Sequence, residues 1–261
     1  MFTDLYDDIY GYDYGYDPES RLDVPFVPTS EKLVETMLKM GGVNENDLLY
    51  DLGCGDGRIV VAAARDCGAR AVGVDLNPQR LMEAREHAEW AGVSPLVAFI
   101  EDDLLCVDFS KATVVTLYLL QTINMELRPR LLSELQPGTR ILSHAFDMAD
   151  WKADQHVTVE GANLFLWIVP ADIAGTWLWR TRDGQEYRLV IRQKFQQVYG
   201  QVWIDDRRAA LKAARLRGTR LRLTIQKAEA AEAQVFTCHY RDGKLLPEAG
   251  SVQASPGVRV A

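Results

Sequence analysis

An apolar run, Leu48 to Leu52, breaks into three alternate glycines, Gly53, Gly55 and Gly57, and resumes as Ile59-Val60-Val61-Ala62-Ala63-Ala64. No other stretch limits the fold so tightly. The pattern predicts a buried strand, a tight turn and a helix. Glycines at this spacing permit backbone angles that a side chain forbids, and they let a ligand approach the main chain. The N–H groups at the helix start suit an anionic group in the turn. Asp51, two residues before the first glycine, would repel a pyrophosphate and attract an ammonium group. A dinucleotide-binding turn places its third glycine three residues after the second, and Arg58 holds that place here. The turn therefore predicts a nucleotide-like ligand and argues against a nicotinamide dinucleotide and its oxidoreductase chemistry.

Further strands and helices follow at regular intervals. Arg70 to Asp75 predicts a second buried strand, and Asn77-Pro78 caps and starts a helix reaching Ala91. Asp75 stands 22 residues after Gly53, where an acid can accept from both ribose hydroxyls of a bound nucleoside. Val97 to Ile100 predicts a third strand, closed by Glu101-Asp102-Asp103-Leu104. Ala112 to Tyr118 and Arg140 to Phe146 predict the fourth and fifth, with a helix from Leu127 to Leu135 between them. His144, Asp147 and Trp151 lie at the exit of the fifth, although a lone strand histidine is also commonly structural. His156 to Glu160 and Asn163 to Val169 read as a hairpin across Gly161-Ala162. Upstream, Thr29 or Ser30 caps a helix with apolar positions at Leu33, Val34, Met37 and Leu38, stopped by Gly41-Gly42.

Three segments are expected: an acidic, tyrosine-rich stretch over 1–24 that is either a lid or disordered, a ligand-binding domain over 25–170, and a small basic β-rich domain over 171–261. The last consists of short alternating runs and predicts a small antiparallel sheet or half-barrel with one short helix near Arg208 to Leu216. Its readings are a cover for the core, a dimer contact or a substrate selector. Residues 1–170 hold 13 Lys and Arg against 28 Asp and Glu, whereas 171–261 hold 16 against 9. The acidic part attracts cations and argues against nucleic acid as its partner; the basic part could meet nucleic acid, an acidic protein or an anionic membrane surface, but reads mainly as a solvated face that helps dock the two. The four cysteines lack CxxC spacing and the histidines lie far from them, so no metal site is expected. No apolar run is long enough to span a bilayer and the acidic N-terminus is unlike a secretory signal, which leads to a cytoplasmic expectation.

The motif Asp51-x-Gly53-x-Gly55-x-Gly57 is similar to motif I of the class I S-adenosylmethionine (SAM) methyltransferases. Together with Phe26-Val27-Pro28-Thr29, Asp75-Leu76-Asn77-Pro78 and Asp103-Leu104, it makes residues 25–151 resemble the bacterial and archaeal relatives of the lysine methyltransferase that modifies the c subunit of mitochondrial ATP synthase. The resemblance implies an α/β, Rossmann-like fold with a mostly parallel seven-stranded sheet, completed here by the hairpin. It implies SAM as cofactor, S-adenosylhomocysteine (SAH) as product and no metal. It places Asp51, Gly53, Gly55, Gly57, Asp75, Leu76 and Thr29 against the cofactor. Asp103 would accept from the adenine amino group while the Leu104 N–H meets the ring, with Asp102 as the alternative to Asp103. The fourth strand ends at the methyl group in that fold, which makes Tyr118 and His144 the candidate catalytic residues. Tyr118, Asp147 and Trp151 become the candidate acceptor contacts. The loop lacks the Asn-Pro-Pro-Tyr or Asp-Pro-Pro-Tyr of DNA amino-methyltransferases. An amine acceptor, protein lysine, is implied; a small-molecule methyltransferase and a non-catalytic SAM-binding protein remain as readings. The membrane anchor of the mitochondrial members is not expected here, and no counterpart of the basic C-terminal part is expected in them.

Overall fold

A computed structural model describes residues 27–227, 232–249 and 254–260. The tyrosine-rich 1–24 segment lies outside the described residues, as does Phe26. Five parallel strands come first: β1 (Leu48–Leu52), β2 (Arg70–Asp75), β3 (Val97–Glu101), β4 (Val114–Leu117) and β5 (Arg140–His144). The hairpin β6 (Gln155–Val159) and β7 (Ala162–Ile168) completes the sheet, with β7 antiparallel to β5, in the order β3-β2-β1-β4-β5-β7-β6. Its turn is made by Glu160 and Gly161, both at positive φ, the backbone that a two-residue hairpin connection needs.

Alternate residues of each strand serve opposite faces. Leu49 and Leu142 pack with α1 (Glu31–Gly41) and α2 (Arg58–Cys67), whereas Leu52 and Ile141 pack with Leu127 and Leu131 of α4 (Gln121–Glu134). Because both faces are covered, the strands read as nearly continuous apolar runs. Ser30 caps α1 through its hydroxyl, and Asn77 caps α3 (Pro78–Trp90) by accepting from the Gln79 and Arg80 amides. The helix α4 starts six residues before the sequence-based expectation of Leu127. Its buried stripe is Asn124, Leu127 and Leu131, and a polar first member conceals the period.

After the sheet, β8 (Gly175–Arg180), β9 (Glu186–Lys194), β10 (Gln197–Ile204), β11 (Arg207–Arg217), β12 (Arg220–Gln226), β13 (Gln234–Arg241), β14 (Lys244–Pro247) and β15 (Gly257–Arg259) form a closed barrel. Each strand pairs with the next, and β15 returns to β8. Trp177, Tyr187, Leu189, Leu221 and Leu223 fill the interior. Two expectations are corrected. The sheet closes fully rather than forming a half-barrel, which removes its open edges. The expected helix at Arg208 to Leu216 is strand β11. Its Ala, Leu, Arg and Lys favour helix in isolation, but pairing on both sides and burial of Leu216 decide otherwise. A register shift between Leu211 and Ala213 breaks the alternation that would have disclosed a strand.

The barrel docks at the end of the sheet where β7 finishes. The Ala171 amide donates to the Gly218 carbonyl at 2.9 Å, and Gly218 abuts Gly138, where a Cβ would lie 3.1 Å from the Gly138 Cα. Lys194 pairs with Asp150 at 2.9 Å. Among the described residues, no helix is long and apolar enough to cross a membrane.

Candidate functional site

The glycine turn joins β1 to α2, with Gly53, Gly55 and Gly57 at φ of 80°, 52° and 73°. Space as well as backbone angle requires glycine at two of them. A Cβ on Gly53 would meet Leu119 Cδ2 at 2.7 Å, and one on Gly57 would meet the Ala84 Cβ at 2.7 Å. The Gly53 and Cys54 amides donate to the Val74 carbonyl, which ties the turn to β2. Gly57 caps α2 without a side-chain acceptor, so the helix start relies on other partners for its orphan amides. Cys54 is a buried small residue under the turn, and burial pushes its thiol up, away from reactivity.

Three acids surround this turn. Asp51 is 2% exposed, and one of its oxygens accepts from the Thr116 hydroxyl at 2.7 Å. Its other oxygen has no donor among the described residues. Burial pushes the carboxyl up to about 7, against the Thr116 hydrogen bond and with the help of the Asp75 and Asp56 charges. Asp75 accepts from the Gly55 amide at 2.8 Å and from the Asn77 amide at 2.9 Å, one bond to each oxygen. Each oxygen keeps lone-pair capacity for a further donor. Asp103 accepts from the Leu105 amide, and Asp102 accepts from the Asp103 amide. Leu104 approaches the turn, with Cδ2 4.0 Å from a Cβ built on Gly53. Leu76 is 45% exposed at the end of β2. A buried carboxyl held by a single hydroxyl, a second carboxylate bonded to the turn and apolar walls at Leu104 and Leu119 fit an adenosine ligand that carries an ammonium group.

At the exits of β4 and β5 the Tyr118 and His144 rings meet with centroids 3.8 Å apart and planes tilted by 30°. Burial holds His144 down near 4, so its imidazole is neutral at ordinary pH. Its Nδ1 lies 3.1 Å from the Thr29 hydroxyl. Asp147 accepts from the Gln121 side chain at 3.0 Å, which places it at the start of α4. Trp151 is not part of this group. It is fully buried, its indole N–H donates to Gln196, and it stacks on Phe195 at 5.7 Å. The expectation that it lines an acceptor pocket is corrected: it is a bolt between sheet and barrel.

Sequence reasoning passed over several residues. Arg58 forms a two-pronged contact with Asp56 and donates to the Thr29 carbonyl at 2.9 Å. Burial works to raise Asp56, but the Arg58 guanidinium holds it below the usual carboxylate range. The chain Asp56, Arg58, Thr29, His144, Tyr118 thus links the glycine turn to the exits of β4 and β5. Ala145 adopts φ of 68°, a conformation that strains a side-chain-bearing residue, and the Phe146 amide closes on the His144 carbonyl across it. Asn124 and Ser143 support this turn through the Phe146 carbonyl. Among the described residues, no three His, Cys, Asp or Glu side chains are grouped to hold a metal.

The family model for the ANTKMT methyltransferase domain matches residues 51–155, ending before the barrel begins. A protein-lysine N-methyltransferase of Saccharolobus islandicus (strain REY15A) is 44% identical over 142 residues, which is 54% of this chain and 88% of that protein. The human lysine N-methyltransferase of the ATP synthase C subunit is 37% identical over 173 residues, 66% of this chain and 69% of its own. Among solved structures, an RNA methyltransferase from Salinibacter ruber in complex with S-adenosyl-L-homocysteine is 50% identical. It superposes with a TM-score of 0.56 over 56% of this chain and 96% of its own.

Proposed function

This chain belongs to the ANTKMT family of SAM-dependent methyltransferases, and on that footing we propose that it methylates the ε-amine of a protein lysine. The observation that carries the reading is the 44% identity spanning 88% of an archaeal protein-lysine N-methyltransferase. We assign the cofactor to the glycine turn, with Asp51 near its ammonium group, Asp75 on the ribose, Asp103 and Leu104 on the adenine and Thr29 toward the methionine end. SAM supplies a methyl already activated by its sulfonium. What the protein must do is hold a neutral amine in line at near-attack distance and keep water out.

An incoming lysine ammonium has to lose its proton before its nitrogen forms the new bond to carbon and the carbon–sulfur bond breaks. Desolvation between Tyr118 and neighbouring apolar groups favours the neutral amine. Neutral His144 helps by adding no positive charge to repel it, and Asp147 supplies the opposite charge at the entrance. Arg58 positions Thr29 and through it the His144 and Tyr118 pair. An RNA acceptor is the second reading, favoured by the 50% identity to the Salinibacter ruber RNA methyltransferase.

Incubation of the protein with methyl-labelled SAM and a cell extract, followed by separation into protein, RNA and small molecules, tests the assignment. Label in protein is expected. Label confined to RNA or to small molecules would overturn it.

A further inference from the structure

The outer wall of the barrel carries charges that its core does not need. β11 and β12 set Arg215 opposite Arg222 and Arg217 opposite Arg220, all four exposed. Like charges directly opposite on one sheet face repel, so the ladder exists against its own electrostatics. Glu248 relieves Arg220 at 2.9 Å. Among the described residues, no carboxylate comes within ion-pair distance of Arg215, Arg217 or Arg222; Asp154 feels the first two only at longer range. The Asp205-Asp206 turn lies at the far end, where Asp206 approaches Arg188 at 3.9 Å. Among the described residues Lys194 is the one barrel cation that forms an ion pair across to the sheet, so most of the basic balance of residues 171–261 is left unpaired there.

The same wall offers rings. On β10, Val198, Val202 and Ile204 fill the barrel, which turns Tyr199 and Trp203 outward. Tyr199 is 58% exposed, opposite Arg192. Trp203 lies between Arg188, whose guanidinium sits 4.1 Å from its ring centroid, and Arg208 across the other ladder. Ala210 and Ala213 are small exposed residues between the rings and the arginine ladder, and Lys212, exposed at the register shift between them, adds a further cation. Successive outward residues of a strand are ~6.8 Å apart, and guanidinium forks at that step suit a run of phosphates. An acidic protein would use the charges but would leave the rings without a role. Cations beside exposed aromatic faces are what an unpaired nucleic-acid strand engages, with its phosphates on one and its bases on the other.

We propose that the β9–β12 face of the barrel binds single-stranded nucleic acid without sequence preference, with Arg215, Arg217 and Arg222 on phosphates and Tyr199 as a stacking platform. The expectation against a nucleic-acid partner rested on the acidic balance of residues 1–170; for the basic part, the nucleic-acid alternative is preferred to the solvated docking face. The inference does not depend on which acceptor is methylated.

The test is fluorescence anisotropy of the full chain with a labelled oligouridylate of about 12 nucleotides between about 50 and 200 mM salt. Saturable binding that weakens with salt is expected. The double variant Arg215→Ala/Arg222→Ala should bind at least about tenfold more weakly, with a salt slope smaller by about 1.4, since each phosphate contact on a single strand contributes about 0.7. Tyr199→Ala should weaken binding several-fold with the slope unchanged. Unaltered SAH binding by calorimetry reports that each variant is folded, and if the double variant does not fold, Tyr199→Ala decides. No saturable binding by the wild type at about 50 mM salt would overturn the proposal, as would affinity unchanged by the substitutions. Equal displacement of the oligonucleotide by polyglutamate of the same length would also overturn it and would mark the face as a site for acidic protein.

Discussion

Asp51 is the residue at which charge, burial and the proposed ligand meet. Its carboxyl is raised to about 7 in the fold, from 3.8 in the unfolded chain. A raised group stabilises the fold fully below the unfolded value, and that stability is lost as pH rises through the folded value. Wild type should therefore lose stability relative to Asp51→Asn as pH rises from about 4 to 7, measured by urea unfolding. His144 acts with the opposite sign. Its lowered value adds stability above about 6.5 that is lost as pH falls toward about 4, so only the variants separate the two. An ammonium-bearing ligand favours ionised Asp51. SAH binding should then release a proton below pH of about 7, and its affinity should rise with pH in wild type and stay flat in Asp51→Asn. Calorimetry in buffers of different ionisation enthalpy reads both.

Arg58 shows what a sequence can hide at this scale. It is conspicuous in the sequence as the residue standing where a dinucleotide turn wants glycine. Its work is to reach Thr29, 29 positions back in the chain, and no local pattern announces such a contact. Arg58→Ala should leave SAH affinity within several-fold of wild type but lower kcat for methyl transfer by at least about tenfold, because a displaced reacting group loses near-attack geometry. A drop in SAH affinity alone, with kcat preserved, would contradict the positioning role.

Elements were legible where one rule dominated. The strand, glycine turn and helix at 48–64 follow from apolar runs and backbone freedom, and the 155–168 hairpin follows from alternation around Gly161. β11 was not legible, because its composition speaks for helix and its irregular register erases the two-residue period. A direct check compares two neighbours on that strand by urea unfolding. Leu216 is 2% exposed inside the barrel, and Leu216→Ala should cost about 2–5 kcal/mol. Arg217→Ala, on the outer face, should change stability by no more than about 0.5 kcal/mol. Equal effects would argue against strand alternation there.

On the scale of the whole molecule, an acidic α/β unit and a basic barrel are joined through a small set of contacts centred on Trp151, Phe195 and Gln196. The change of character near Pro170 is legible in the sequence but the bolt is not, because Trp151 stands at a strand exit where pocket residues cluster, and its barrel partners lie more than 40 positions away. Trp151→Ala should cost about 3–5 kcal/mol and separate the thermal unfolding of sheet and barrel into two calorimetric transitions. A single transition of unchanged midpoint would contradict that role. The proposals divide the labour, with cofactor and amine chemistry in the acidic unit and anion capture on the barrel. The most direct test of the central claim is to supply methyl-labelled SAM and a cell extract to wild type and to Asp75→Ala, hydrolyse the labelled protein and chromatograph its amino acids. The account predicts labelled methyl-lysine with wild type and at least about tenfold less with Asp75→Ala, as expected for loss of a charged hydrogen-bonding partner. Labelled hydrolysates without methyl-lysine, or equal yields from the two proteins, would contradict it.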